Sequence, residues 1–238
     1  FDLMPTPTLD MLESARAPWK AHRWAATPLI AAEAKPQKAV RLQNPAAAGR
    51  SPGTVCNASE ADVKNAFDKA QTWDAPLETR QEVLLKAADM LEAHFGEIFA
   101  LLTREAGKSL PDCVGELREA VDFLRYYASQ ATNVPPAGIF TCISPWNFPL
   151  AIFCGQVTAA LAAGNAVLAK PAEQTPLIAF LAVSLLHEAG VPREVLQLLP
   201  GGGDVGAALT SDPRVGGVAF TGSTATALKI RQSMADHC

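Results

Sequence analysis

The chain has 238 residues, 49% of them apolar and 18% charged, with a formal net charge of −4. That length supports one large domain or two small ones, and the acidic balance excludes the basic footprint of a nucleic-acid binder. The charged fraction lies below the usual ~25%, which points to buried strands or a subunit interface rather than to disorder, and a homo-oligomer is expected.

Residues 1–20 hold charges and prolines but no apolar run, so no signal peptide is expected. The segment DMLESARAPWKAHRW (10–24) reads as one helix, followed by extended chain. Segment 44–59 has turn chemistry, with a short strand at 54–56. Ser59 and Asp62 form a capping-box pair that opens a helix expected over 60–75. Val83, Leu84, Ala87, Leu91, Phe95, Ile98 and Leu102 then recur at helical spacing over two helices, and 111–132 forms a third. The first half is thus expected to be mainly helical. A first division places an extended and helical arm at 1–44 and the main domain at 45–238.

The second half changes period. Strands are expected at 138–144, 166–170, 195–199 and 215–220, and helices at 148–163, 175–189, 204–210 and 223–235. This alternation predicts an α/β fold, a parallel Rossmann-like sheet flanked by helices and preceded by the helical region. The long apolar stretch 148–169 is broken by Pro149, Gly155, Gln156, Gly164 and Asn165. It reads as helix, turn and strand, not as an integral membrane span. Cys56, Cys113, Cys142, Cys154 and Cys238 are scattered and form no CxxC pair, so neither a disulfide framework nor a metal site is expected. Cys142 and Cys154 read as core thiols, and a reducing cytoplasm fits best.

In parallel sheets of this kind ligands sit beyond the carboxyl ends of the strands. Four polar or glycine-rich turns fall there. Gly201, Gly203 and Gly206 satisfy GxGxxG, whose N–H groups suit a pyrophosphate, although a plain glycine turn and cap explains the pattern equally, and Asp204 puts a negative charge nearby. In FTGST, Gly222, Ser223 and Thr224 open a helix as a phosphate site or as an ordinary serine cap. In KPAEQTP, Lys170 with Glu173 three residues on suits ribose hydroxyls, or is simply a solvated strand end. In ISPWNFP, an indole and an amide, Trp146 and Asn147, stand at an apolar junction.

In this order and spacing the four turns resemble the aldehyde dehydrogenase superfamily, over roughly 45–233. EAGKSLPDCVGELREAVDFLRYYA, ISPWNFPLAIF and LAAGNAVLAKPAEQTPLIA look most like its glutamate-semialdehyde (pyrroline-5-carboxylate) dehydrogenase branch, found in bifunctional proline-catabolic proteins. The resemblance implies that Asn147 donates its side-chain N–H to the aldehyde oxygen. It implies bound NAD, favoured over NADP because Glu173 repels a 2′-phosphate. Lys170 and Glu173 then match the adenosine-ribose positions. Ser223 matches the phosphate-binding helix start, Gly203 and Gly206 match the loop against the cofactor, and Ser144, Pro145, Trp146, Phe220 and Gly222 complete the cleft. Glu119 lies on a helix that the resemblance sets beside the substrate tunnel, where it meets the ammonium of an amino-acid semialdehyde or, alternatively, pairs with a nearby Arg.

The resemblance places the nucleophilic cysteine and the glutamate that activates the deacylating water beyond residue 238, so this chain is expected to be truncated and inactive by itself. It also implies a proline dehydrogenase domain on the same full-length chain, and it shows an abbreviated oligomerisation segment at SQATNVPPAGIF. Another semialdehyde or broad-specificity aldehyde dehydrogenase, and a non-catalytic protein of the same fold, are the alternatives.

Overall fold

A computed structural model describes residues 1–235 of the chain. Helix α1 (Thr6–Arg16) starts earlier than its expected position, with Pro7 in its first turn, where a missing N–H costs nothing. Pro18 ends it through a single tight turn over Ala17–Trp19. Trp24 is therefore not helical. It opens strand β1 (Trp24–Ala26), which with β2 (Val40–Arg41) and β3 (Gly53–Val55) forms a small mixed sheet of order β1-β3-β2. A Cβ at Gly53 would collide with the Trp24 carbonyl, so only glycine lets these strands approach.

Helix α2 (Glu60–Lys69) carries the expected capping box. The Asp62 N–H donates to Ser59 Oγ at 3.2 Å, and the Ser59 N–H donates to the Asp62 carboxylate at 2.9 Å. It stops at Lys69 rather than 75. The N–H groups of Gln71 and Trp73 are claimed by the carbonyls of Glu194 (2.9 Å) and Gly164 (2.8 Å), and the buried Trp73 ring follows them out of the helix. Helices α3 (Leu77–Ala93), α4 (Phe95–Glu105) and α5 (Leu110–Gln130) follow. Leu84, Ala87, Leu91, Ile98 and Leu102 of the apolar stripe are buried, as their spacing predicts.

The rest alternates β4 (Ile139–Ile143), α6 (Ala151–Ala162), β5 (Ala166–Lys170), α7 (Pro176–Ala189), β6 (Leu196–Leu198), α8 (Gly203–Ser211), β7 (Val215–Phe220) and α9 (Thr224–Ala235). The four strands form a parallel sheet of order β6-β5-β4-β7, as the alternation predicts. Helix α6 begins three residues later than expected, because Pro149 disfavours helical backbone at Phe148 before it, and residues 148–150 form a bend and turn instead. Gly190 closes α7 at a φ of 130°, a conformation that side chains rarely allow.

Both faces of the sheet are covered, which explains its unbroken apolar strands. Val167, Ala169, Cys142, Leu196 and Leu198 join the larger core with α3 to α7, while Leu168 joins Phe67 of α2 and Leu209 of α8 in a smaller one. Polar residues on the second face are individually satisfied. Thr141 Oγ1 donates to the Leu209 carbonyl at 2.9 Å, and Gln197 Nε2 donates to that of Ala66 at 2.7 Å. The arm is part of the same body, with Leu12, Trp24 and Ala26 in the larger core. Among the described residues, no helix is long and apolar enough to cross a membrane.

Candidate functional site

The parallel register levels the strand ends. Ile143 of β4 pairs with Lys170 of β5 on one side and with Phe220 of β7 on the other. Backbone bonds extend this row one residue further: the Ser144 N–H donates to the Lys170 carbonyl at 3.3 Å, and the Thr221 N–H to the Ile143 carbonyl at 3.1 Å. The turns after β4, β5 and β7 are therefore neighbours, with the glycine-rich turn after β6 beyond them.

Two clefts meet at Thr226. One, of about 450 Å³, is lined by Ser144, Pro145, Trp146 and Asn147, with Phe220, Gly222 and Ser223 opposite. The other, of about 530 Å³, is lined by Lys170, Gly203 and Gly206. The Asn147 amide is exposed and makes no side-chain hydrogen bond among the described residues, so its N–H is free to donate to a ligand. Trp146 is 58% exposed, which rules out plain core packing for it. The buried Ser144 hydroxyl has no partner among the described residues.

Lys170 is not a solvated strand end. It is 7% exposed, and its Nζ donates to the Pro171 carbonyl at 3.0 Å. Burial depresses its pKa, while Glu173 and Asp204 pull the other way. Its stem crosses α8 at Gly206, where an added Cβ would lie 3.4 Å from Lys170 Cε. Glu173 is exposed, and a Cβ on Gly202 would sit 3.2 Å from its Oε2 and 3.1 Å from Asp204 Oδ1. No glycine of the 201–206 turn has a positive φ. These glycines provide room rather than unusual backbone angles. Helix α8 has no side-chain cap, so its first-turn N–H groups are available to an anion. At α9, Ser223 does cap: the Thr226 N–H donates to its Oγ at 3.2 Å.

Glu119 stands apart from these clefts. It is exposed on α5, in a separate groove with Gly115, Arg118, Asp122, Phe123 and Tyr126. Arg118 pairs with Asp122 (3.8 Å), and Glu119 has no ion pair among the described residues. Cys142 and Cys154 are buried, and burial raises both thiol pKa values, that of Cys142 to about 12. Neither is a poised nucleophile. Cys238 lies outside the described residues.

Sequence reasoning missed three charged residues beneath the site. Glu105 accepts from the Leu177 N–H (2.7 Å) and the Ile178 N–H (3.0 Å) at the start of α7, directly after the Lys170–Glu173 turn. Burial raises its pKa to about 8 against the pull of those two amides. Glu116 accepts from the N–H groups of Ala151 (2.8 Å) and Leu150 (3.3 Å) at the start of α6, directly after Asn147. It also pairs with Lys108 Nζ at 2.9 Å, and burial raises its pKa. Lys108 lies over the Phe148 ring, 4.3 Å from its centre. The signal was available. Glu116 falls on the buried α5 stripe of Cys113, Leu117 and Ala120, and a carboxylate on such a stripe needs a partner.

The aldehyde dehydrogenase family model matches residues 31–238. The chain belongs to the aldehyde dehydrogenase family. It is 48% identical to the bifunctional protein PutA of Klebsiella aerogenes over its whole length, which spans 19% of that protein. Against the 1-pyrroline-5-carboxylate dehydrogenase of Bacillus cytotoxicus, identity is 36%, covering 81% of this chain and 42% of the relative. Among solved structures, proline utilization A from Bdellovibrio bacteriovorus superposes with a TM-score of 0.91 at 31% identity, over 98% of this chain and 27% of that one. Thermus thermophilus 1-pyrroline-5-carboxylate dehydrogenase gives 0.90 at 31% identity, over 98% of this chain and 50% of that one. The aldehyde dehydrogenase fold and the resemblance to the pyrroline-5-carboxylate branch are thus both upheld. The chain spans about a fifth of the length of its PutA relatives.

Proposed function

We propose that this chain is the cofactor-binding part of an NAD-dependent aldehyde dehydrogenase that oxidises L-glutamate γ-semialdehyde to L-glutamate in proline catabolism. Residues 1–44 form its arm and 45–238 its NAD-binding domain. It works in the cytoplasm as a homo-oligomer, on a polypeptide that also carries a proline dehydrogenase domain. The reading is carried by one observation: the free amide of Asn147 stands in a cleft whose neighbouring strand end holds the buried Lys170 ammonium and the Glu173 carboxylate. The names of the relatives, PutA and 1-pyrroline-5-carboxylate dehydrogenase, support the substrate.

The residues present fit the cofactor. The unpartnered Ser144 hydroxyl, the uncapped α8 N-terminus and the Lys170–Glu173 pair offer respectively a polar contact, an anion cradle and partners for ribose hydroxyls. When bound, NAD supplies the hydride acceptor. Trp146 and Phe220 wall the cleft. As the thiolate of the complete enzyme adds to the aldehyde carbon, negative charge grows on the carbonyl oxygen. The Asn147 N–H donates to that oxygen, a contribution of about 3 kcal/mol on the usual oxyanion-hole scale. Glu119 receives the substrate ammonium. Residues 1–238 alone hold the adenosine half of NAD weakly and do not turn over.

The test is steady-state kinetics on the full-length protein, comparing glutamate semialdehyde with succinic semialdehyde, which lacks the amine. Wild type should favour the amino substrate, and Glu119→Ala should lower kcat/KM for that substrate alone. Equal use of both aldehydes by wild type would sink the substrate assignment. An unchanged E119A would remove Glu119 from it.

A further inference from the structure

We propose that the ion pair of the half-buried Lys108 with the buried Glu116 is a positioning device for Asn147, fixing the 144–150 turn so that the amide donor meets the developing oxyanion. The inference rests on the oxyanion reading of Asn147 given above.

Asn147 has no side-chain bond of its own among the described residues, so its placement depends on the backbone that carries it. On the upstream side that backbone is anchored to the sheet through the Ser144 N–H and the Ile143 carbonyl. On the downstream side it enters α6, a helix with no acidic residue in its first turn and no side-chain cap of its own. The cap comes from another helix. One oxygen of Glu116 takes the N–H groups of both Leu150 and Ala151, and the other pairs with Lys108. The same ammonium covers the ring of Phe148, the residue after Asn147. Every residue from 148 to 151 except Pro149 is therefore touched by this pair.

Stability alone is a poor reason for such an arrangement. Leu150, at the cap position, is fully buried and in αR backbone, so it offers no local cap, and an ion pair held in the core often contributes no more than well-packed apolar residues of equal volume. A borrowed cap does what a local one cannot: it ties the oxyanion donor to α5, the helix that carries Glu119 one turn beyond Glu116. The pair thus fixes the distance between two proposed substrate contacts.

A double-mutant cycle on the full-length protein tests this, using Glu116→Gln, Asn147→Ala and their combination. The readouts are kcat/KM for glutamate semialdehyde and the NAD dissociation constant. Asn147→Ala should cost about 10²- to 10³-fold, the usual loss for one oxyanion donor, and Glu116→Gln about tenfold with NAD affinity within about twofold. The double variant should be no slower than Asn147→Ala alone, because the pair acts only through that amide. Should Glu116→Gln fail to fold, Lys108→Met/Glu116→Gln leaves no charge buried alone and takes its place in the cycle. Losses that multiply, or a Glu116→Gln enzyme of wild-type efficiency, would overturn the inference. An Asn147→Ala enzyme of wild-type efficiency would instead overturn the oxyanion reading itself, and this inference with it.

Discussion

Strand β6 is wholly buried, and its outer side is closed by Leu29, whose backbone exchanges two hydrogen bonds with Leu198 at 3.0 and 2.9 Å. At the other edge of the same sheet, β7 is mostly half-buried, and α9 beside it has no buried residue. The difference divides the candidate site. Lys170 sits on the finished side, where packing already fixes it. Trp146, Asn147 and Phe220 to Ser223 sit towards the open side, where Trp146 and Phe148 are exposed and α9 exposes Leu228. On the proposed cofactor reading, the end that would hold adenosine is built into the core, while the end that would do chemistry presents a surface suited to being covered.

Large-to-small substitutions on the two sides should read out this division directly. Phe153→Ala removes a fully buried ring between α6 and its neighbours, and should cost about 3–5 kcal/mol of unfolding free energy. Leu228→Ala on α9, where Leu228 is 50% exposed, should change it by no more than about 0.5 kcal/mol. Urea unfolding of the chain measures both. Comparable losses would show that α9 is packed in solution and that the open edge is not open.

Glu105 sharpens the comparison on the finished side through a pH-dependent effect. Its folded pKa of about 8 stands above the ordinary 4.5. The folded chain therefore binds the more protons between those values, and unfolding free energy should fall as pH rises from about 4.5 to 8. Glu105→Gln keeps an acceptor for the α7 amides and should flatten that slope. A slope unchanged by the substitution would mean that the two helix amides, not burial, set the protonation of Glu105.

The elements that the sequence made legible are those whose partners are local or whose burial is complete. Strands 166–170 and 215–220 were expected at their observed bounds, since each is an apolar run between polar or glycine turns. The end of α2 and the strand at Trp24 were not legible, because distant groups decide them: the carbonyls of Glu194 and Gly164 for one, the ladder to Gly53 for the other. The site divides likewise. Lys170 and Asn147 were singled out because parallel topology puts ligands at strand ends and because the four turns resemble the aldehyde dehydrogenase superfamily, and the fold does bring their turns together. Glu105 and Glu116 were missed because the amides they cap lie 72 and 35 residues away.

The smallest expected effect concerns cofactor choice. Glu173 is exposed at the turn beside Lys170, so any repulsion of a 2′-phosphate acts through water. At a separation of about 4 Å in bulk water that amounts to about 1 kcal/mol, or roughly a fivefold preference for NAD. Glu173→Gln should remove most of that preference, and raising the salt concentration should shrink the difference between wild type and variant, since exposed charges are screened over a Debye length of about 10 Å at 0.1 M. The ratio of kcat/KM for NAD and NADP, measured on the full-length protein at two ionic strengths, decides it. A wild-type preference for NADP would show that Glu173 does not face the ribose. A preference for NAD that survives both the substitution and high salt would place the discrimination in the shape of the cleft, with Lys170 and its support from Gly206 as the next residues to change.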